Sequence, residues 1–339
     1  MKLLITGGCG FIGTNFIRLM HRSHSDWTLI NLDKLTYAGN RNNLAKLEQE
    51  ADNYHFIQGD IGDRELVRSV LADYKIDAIV NFAAESHVDR SINDPSPFVT
   101  TNIQGAQNLM ECARNHDIER FVHVSTDEVY GTLGPEGKFK ETTPLAPNSP
   151  YSASKAGADL MARAYFETYG LPILITRCSN NYGPYQFPEK LIPLMFLNAK
   201  NDKSLPVYGD GLNIRDWIYV DDHCRGVELT LLKGREGQAY NFGGNAEETN
   251  INVVKTILHI LGKPESLISF VADRPGHDKR YAMDFSLAKQ ELGFSPSVDF
   301  AQGMKETIAW YEKNAKWLEA VQNGSYRNFM KDWYKERKA

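Results

Sequence analysis

Several absences narrow the class of this chain before any motif is read. Only four cysteines, Cys9, Cys112, Cys178 and Cys224, occur in 339 residues, and none forms a C-x-x-C pair. That scatter excludes a zinc ribbon or a disulfide framework, so no metal site is expected and buried thiols in a reducing compartment are. No apolar run approaches the ~20 residues of a membrane span. A secretory opening is missing too. Residues 2–6 are mostly apolar, but Gly7, Gly8 and Gly10 interrupt them, short of the about 7–15 apolar residues a signal needs. A cytoplasmic protein away from membranes is expected. Lys and Arg number 38 against 43 Asp and Glu, a net charge of -5. No basic excess marks a nucleic-acid binder, although a few arginines can still hold an anionic ligand. There is no internal repeat and no low-complexity tract.

What is present is alternation. Lys2–Thr6, Thr28–Leu32, His55–Gln58, Ala78–Phe82, Phe121–Ser125 and Ile173–Arg177 read as buried strands. Amphipathic stretches such as Arg64–Tyr74 and Asn102–His116 lie between them, with apolar residues at three- and four-residue spacing. The pattern predicts an α/β fold: a doubly wound parallel sheet of Rossmann type, covered on both faces. After residue 180, Pro184, Pro188, Pro193, Pro206, Gly209 and Gly211 break the chain often. A smaller mixed α/β substrate-binding region is expected there, with helices near Asp222–Leu232 and Asn252–Leu261. The reading is residues 1–180 for a dinucleotide and 181–339 mainly for substrate, with later segments returning to the first part. Trp310–Ala339, aromatic and basic, reads as a surface helix or packing tail.

The first strand runs into Gly7-Gly8-Cys9-Gly10-Phe11-Ile12-Gly13, where Gly8, Gly10 and Gly13 satisfy G-x-G-x-x-G. Glycine permits the tight turn and lets a pyrophosphate approach the backbone, and the following helix offers free N–H groups to that anion. Asp33 lies 20 positions past Gly13, where a carboxylate accepts hydrogen bonds from the adenosine ribose and repels a 2′-phosphate. NAD is therefore expected over NADP, although Lys34 is a cation close by. Asp60, after the third strand, is a third candidate contact or else a turn residue.

Tyr151 and Lys155 form Y-x-x-x-K at a helix start, after Ser149 and Pro150, with Gly170 as the stop. The i, i+4 spacing sets phenol and ammonium on one face. A neighbouring cation lowers a phenol's pKa, so Tyr151 is a candidate base. Thr126, at the end of the fifth strand, opens Thr126-Asp127-Glu128. Two adjacent carboxyls raise at least one pKa, which lets one act as acid while the other stays a base. A solvated acidic turn is the alternative. Lone residues such as His123 read as structural.

The glycine motif, Asp33 and Y-x-x-x-K together resemble the extended branch of the short-chain dehydrogenase/reductase family. Longer runs bring the resemblance closer. S-T-D-E-V-Y-G at 125–131, D-K-L-T-Y-A-G-N at 33–40, A-A-E-S-H-V-D-R-S-I at 83–92, R-C-S-N-N-Y-G-P-Y-Q-F-P-E-K-L-I-P at 177–193 and D-R-P-G-H-D-x-R-Y-A at 273–282 are similar to the dTDP-glucose 4,6-dehydratase family. The resemblance implies a lyase with tightly bound NAD regenerated in each turnover. Tyr151, assisted by Thr126 and Lys155, would act as base at O4, Glu128 as base at C5 and Asp127 as acid at the C6 hydroxyl. It implies a cofactor lining of Gly7, Gly10, Phe11, Ile12, Gly13, Asp33, Lys34, Leu35, Thr36, Asp60, Ile61, Phe82, Ala83, Ala84, Glu85, Ser86, Thr101, Tyr151, Lys155 and Asn181. For the sugar nucleotide it implies Ser86, His87, Thr126, Asn180, Lys190, Leu191, Pro206, Val207, Tyr208, Arg215, Asn250, Arg274, His277 and Tyr281, with Arg215 and Arg274 on the diphosphate. A homodimer through the Tyr151 helix and the helix near Asn102–His116 is also implied. A 4-epimerase or decarboxylase on the same scaffold is the second reading, and the Asp127-Glu128 pair argues against it. A non-catalytic NAD sensor is the third, and the presence of both Tyr151 and Lys155 argues against that.

Overall fold

The computed structural model describes residues 1–321, so the end of the expected tail, 322–339, lies outside the described residues. Six apolar runs form parallel strands: β1 (Lys2–Thr6), β2 (Thr28–Asp33), β3 (Tyr54–Gln58), β4 (Ala78–Asn81), β5 (Arg120–Thr126) and β6 (Ile173–Cys178). A seventh, Ala239–Phe242, pairs parallel with β6. The order is Ala239–Phe242, β6, β5, β4, β1, β2, β3. All seven run parallel, and successive strands build outward in opposite directions from β1. The gap between β1 and β4 is thus the topological switch point, where such sheets bind ligands beyond the strands' carboxyl ends.

Both faces are covered, which is why the strands read as unbroken apolar runs rather than alternating ones. On one face Phe16, Ile17 and Met20 of helix Phe11–Ser23 pack with Val220, Cys224, Val227 and Leu231 of helix Val220–Lys233. On the other, Val67, Val70 and Leu71 meet Leu109, Met110, Ala158 and Ala162. The chain therefore crosses back into the sheet layers after residue 180, through Val220–Lys233, Ala239–Phe242 and Ser286–Leu292. A separate core, with Phe196, Val207, Trp217, Ile257 and Tyr311, supports the smaller strands and helices near the carboxyl ends of the sheet.

Local chemistry explains the helix bounds. Asp63 caps Arg64–Tyr74 by accepting from the Leu66 N–H at 3.1 Å. Helix Pro150–Tyr169 starts with the Ser149 hydroxyl accepting from Ser152 N–H at 3.1 Å and Pro150 at the first position, and ends at Gly170 with φ 70°. The stretch predicted as one α-helix over Asn102–His116 differs. It opens as a π-helical segment, Val99–Gly105, and becomes α-helical over Ala106–Arg114. The widened turn lets the Asn102 side chain reach the Glu85 backbone, accepting its N–H at 2.8 Å and donating to its carbonyl at 2.9 Å. Such bulges recur at functional sites.

Candidate active site

A cavity of about 330 Å³ opens at the switch point. Its floor is the glycine turn. Gly7 has φ +70°, and a Cβ there would lie 2.7 Å from Ala83 N. A Cβ on Gly13 would lie 2.4 Å from the Gly7 carbonyl. No side chain caps helix Phe11–Ser23, so its first N–H groups are left for an anion. Asp33, 7% exposed, is aimed by two backbone N–H groups, from Cys9 at 2.8 Å and Leu35 at 2.7 Å. Burial raises its pKa, opposed by those two bonds. Lys34 is paired with Asp60 at 2.7 Å, so the cation that complicated the choice of dinucleotide is already matched by a carboxylate. A backbone cradle, an aimed acid and no unmatched cation beside it fit NAD.

Gly7, Gly10, Phe11, Ile12, Gly13, Asp33, Lys34, Thr36, Asp60, Ile61, Phe82, Ala83, Ala84, Glu85, Ser86, Thr101, Tyr151, Lys155 and Asn181 all line this cavity. Leu35 does not. It sits at φ 56°, and its N–H serves Asp33.

The chemistry-bearing residues enter from β5 and the helix Pro150–Tyr169. Thr126 ends β5, and a short 3-10 turn, Asp127–Tyr130, follows at once. Thr126, Asp127, Glu128, Tyr151 and Lys155 line the same cavity as the glycines. Asp127 is 2% exposed, and its Oδ2 has no hydrogen-bond partner. Leaving such an atom unsatisfied costs roughly 1–3 kcal/mol, so it marks a group held ready for something else. Burial first, then Glu128, holds the Asp127 pKa well above the carboxylate range. Burial thus favours the protonated form of Asp127 beside Glu128, whose Oε2 accepts from the Ser152 hydroxyl at 3.3 Å.

The Tyr–Lys pair behaves differently from the expectation. Burial, then Glu128, lifts the Tyr151 pKa well above its ordinary value, and a hydrogen bond with Thr126 draws it back. Lys155 donates to the Val124 carbonyl at 2.7 Å and is itself lowered to about 8 by burial. An ammonium committed to a backbone carbonyl and weakened by burial does not by itself bring the phenol into the neutral range.

The substrate side is more dispersed. Ser86, Thr126, Asn180, Lys190 and Leu191 line the main cavity, and Lys190 Nζ donates to the Ser86 carbonyl at 2.8 Å. His87 lies behind, 3.6 Å from Glu189. A second group gathers around the diphosphate candidates. Arg215 is 4% exposed, stacks over Tyr281 at 4.2 Å and donates to the Asp278 carbonyl at 2.9 Å. Arg274 contacts Asp89 at 3.4 Å, and its buried Nε has no partner. Tyr208 donates to the other Asp89 oxygen at 3.1 Å. His277 stands over Asp273 at 2.6 Å and is held down to about 4 by burial and the two arginines. Both arginines act electrostatically on Glu128 or Asp127, so this group adjoins the catalytic turn. Pro206 lies on strand Leu205–Tyr208, and Asn250 opens helix Asn250–Leu261. Val207 is 2% exposed and belongs to the smaller core.

Sequence reasoning passed over several residues. Glu189 is buried in the cavity wall, pushed up to about 7 by burial; its Oε1 accepts from Tyr37 at 2.9 Å, and its Oε2, 3.6 Å from His87 Nε2, makes no hydrogen bond. Its place beside Lys190 inside a quoted motif was the available signal. The stretch 36–43 covers one side of the cleft, with Thr36, Ala38 and Gly39 lining it. Asn40 N–H and Asn43 Nδ2 both reach the Cys9 carbonyl, at 2.9 and 3.3 Å. From outside, Trp317 donates to Asn43 at 2.7 Å, and Trp317, Phe187 and Val321 pack with Tyr37 and Ala38.

With that geometry in hand, known proteins give the comparison. The family pattern described as GDP-mannose 4,6 dehydratase matches residues 4–307. A dTDP-glucose 4,6-dehydratase of Xanthomonas campestris pv. campestris (strain B100) is 54% identical, over 96% of this chain and 97% of its own. The crystal structure of the Bacillus anthracis dTDP-glucose 4,6-dehydratase in complex with NAD has a TM-score of 0.89 at 50% identity, covering 95% of this chain and 99% of that one. The Streptomyces venezuelae dTDP-glucose 4,6-dehydratase, also with NAD bound, has a TM-score of 0.91 at 51% identity, covering 95% and 100%. Carrying this fold, this cleft and this degree of identity along nearly its whole length, the chain belongs to the dTDP-glucose 4,6-dehydratase family.

Proposed function

We propose that the chain dehydrates dTDP-glucose to dTDP-4-keto-6-deoxyglucose, with NAD bound throughout and regenerated in each cycle. The observation that carries this reading is the buried Asp127 carboxyl beside Glu128, in the same cavity as the glycine cradle, with Oδ1 held by the Thr126 hydroxyl at 3.2 Å and Oδ2 left without a partner. Alcohol oxidation alone has no use for that pair; removal of water needs both.

Bound NAD would supply a positive ring beside the phenol, a hydride acceptor at C4 and later a hydride donor at C6. The protein's residues do the rest. Tyr151, hydrogen-bonded to Thr126, would act as the phenolate that such a positive charge favours and take the O4 hydroxyl proton as C4 becomes a ketone. The ketone acidifies the C5 proton, which Glu128 removes. Asp127, whose burial favours the protonated form, gives its proton to the C6 hydroxyl, which leaves as water. After the hydride returns to C6, C5 regains a proton from Glu128. The sum is sugar minus one water, with no net oxidation. Arg215 and Arg274 are assigned to the diphosphate, since guanidinium forks suit its oxygens.

The division of labour proposed is 1–180 for NAD and 181–339 mainly for the sugar nucleotide, with the returning segments counted with the sheet. A homodimer is proposed through the Tyr151 helix and its π-helical neighbour, supported by Val99, Leu160 and Tyr169 at 45%, 57% and 54% exposure. Among the described residues no helix is long and apolar enough to cross a membrane. The cytoplasm, where charged sugar nucleotides and NAD are retained, is the proposed location.

Incubation with dTDP-glucose and with UDP-glucose, without added NAD, tests the reading. A 4-keto sugar absorbing in alkali is expected from the first. Epimerised sugar in its place, or no product, would overturn it.

A further inference from the structure

Behind the catalytic helix runs a buried polar chain that the steps above leave unused. Asp159 stands one turn beyond Lys155 on the same helix face and is 1% exposed. A charge this deep persists only when paired. Its Oδ2 accepts from Arg177 Nε at 2.8 Å. Its Oδ1 has no hydrogen-bond partner, and His123 Nε2, also without one, lies 3.8 Å away. Burial, then Lys155 and Arg177, keeps His123 well below its ordinary pKa, so that ring is neutral. Asp159, one turn along the same buried face, is the leading influence opposing burial at Lys155.

Arg177 carries the chain onward. Its Nη1 donates to the Tyr130 hydroxyl at 2.8 Å, and that hydroxyl donates to Asn241 at 2.8 Å. Asn241 is anchored in turn by its N–H on Glu141 at 2.9 Å and its Nδ2 on the Phe139 carbonyl at 3.1 Å. Tyr130 is the last residue of the 3-10 turn that begins at Asp127.

We infer that Asp159 is a positioning residue for both halves of the reaction: its carboxylate keeps Lys155 an ammonium and, through Arg177 and Tyr130, holds the turn that presents Asp127 and Glu128 to the sugar. The inference rests on the dehydratase reading. The titratable groups beside Lys155 and Asp159 are His123 from β5 and Arg177 and Cys178 from β6, with Tyr130 of the turn and Glu141 reached through Arg177. Burial pushes Cys178 up to about 12, whereas Lys155 sits at about 8. The ammonium is lost as pH rises through that value. Removing the Asp159 charge lowers it further, so the alkaline loss of turnover moves to lower pH.

The test uses the NAD-loaded enzyme with dTDP-glucose, following kcat against pH and measuring C4 oxidation and water elimination separately. Asp159→Asn should move the alkaline limb down by about one pH unit, about tenfold in kcat on that limb, with KM changed less than about threefold. Asp159→Glu should restore the limb. Tyr130→Phe should leave the limb in place and slow elimination about tenfold relative to C4 oxidation. A folded Asp159→Asn enzyme with the wild-type limb overturns the inference, as does wild-type elimination by Tyr130→Phe. If Asp159→Asn does not fold, Tyr130→Phe decides. Failure of the unaltered chain on dTDP-glucose would sink the dehydratase reading instead, so the two failures are distinct.

Discussion

The glycine cradle on the cofactor side of the cleft comes from one short stretch, Gly7–Gly13, with Asp33 at the end of the next strand. The substrate side gathers Ser86, Lys190, Tyr208, Arg215, Arg274 and Tyr281 from loops and strands far apart in the chain. The first is made of backbone, and its tolerance is set by fractions of an ångström. The second is made of long side chains, each oriented by others: Arg274 by Asp89, Arg215 by Asp278 and Tyr281. Backbone surfaces should fail completely when altered, and side-chain surfaces by degrees.

The harshest way to break this contrast is Gly13→Ala. The new Cβ would stand 2.4 Å from the Gly7 carbonyl, which backbone cannot easily yield. Loss of all bound nucleotide is expected, read as NAD released on acid denaturation. Full NAD content would show that the cradle is softer than its geometry. Next comes Glu128→Gln, at the seam of the two sides. Elimination should fall about 10²–10⁴-fold while hydride transfer from C4 persists, seen as NADH absorbance without a deoxysugar product. Arg274→Ala on the far side should raise KM roughly tenfold to a hundredfold with NAD content unchanged. Loss of NAD in that variant would mean the two sides are not independent.

The smallest effect expected is on stability. The Asp127 pKa is raised in the folded state, so its carboxyl favours folding at low pH. That advantage fades as pH climbs from the ordinary carboxylate range toward the raised value. Asp127→Asn removes the penalty while ending elimination. Near neutral pH its Tm should rise by about 2–4 °C, with the gain vanishing in acid. An equal gain at every pH would show that the aspartate's ionisation is not the cause.

The cofactor side was the legible one, and the reason is locality. A glycine spacing, an acid one strand later and a capped Y-x-x-x-K helix each declare themselves within a few residues. Thr126, Asp127 and Glu128 were legible as a cluster, but their burial was not; a solvated turn has the same letters. Arg215 and Arg274 came from resemblance alone, since nothing near either in sequence marks an anion site. The tyrosine–lysine pair shows where spacing misleads. Helical geometry sets both on one face, yet Lys155 turns to the Val124 carbonyl, a partner 31 positions away. The widened turn at Val99–Gly105 was illegible for a similar reason: it goes with the long-range contact of Asn102 to Glu85, and no period in the sequence encodes that contact. Glu189 and Asp159 escaped notice because a buried acid and a surface acid look alike until the chain has folded around them.

The strap over residues 36–43 has a consequence for traffic. It is fastened beneath by two bonds to Cys9 and above by the Trp317 indole. A dinucleotide leaving past this strap would have to part fastenings drawn from both Cys9 and Trp317. A dehydrogenase that sheds its reduced coenzyme after every round would be throttled by such a latch. A catalyst that hands the hydride back to the molecule it came from has no such errand, and one loading can serve it for many cycles.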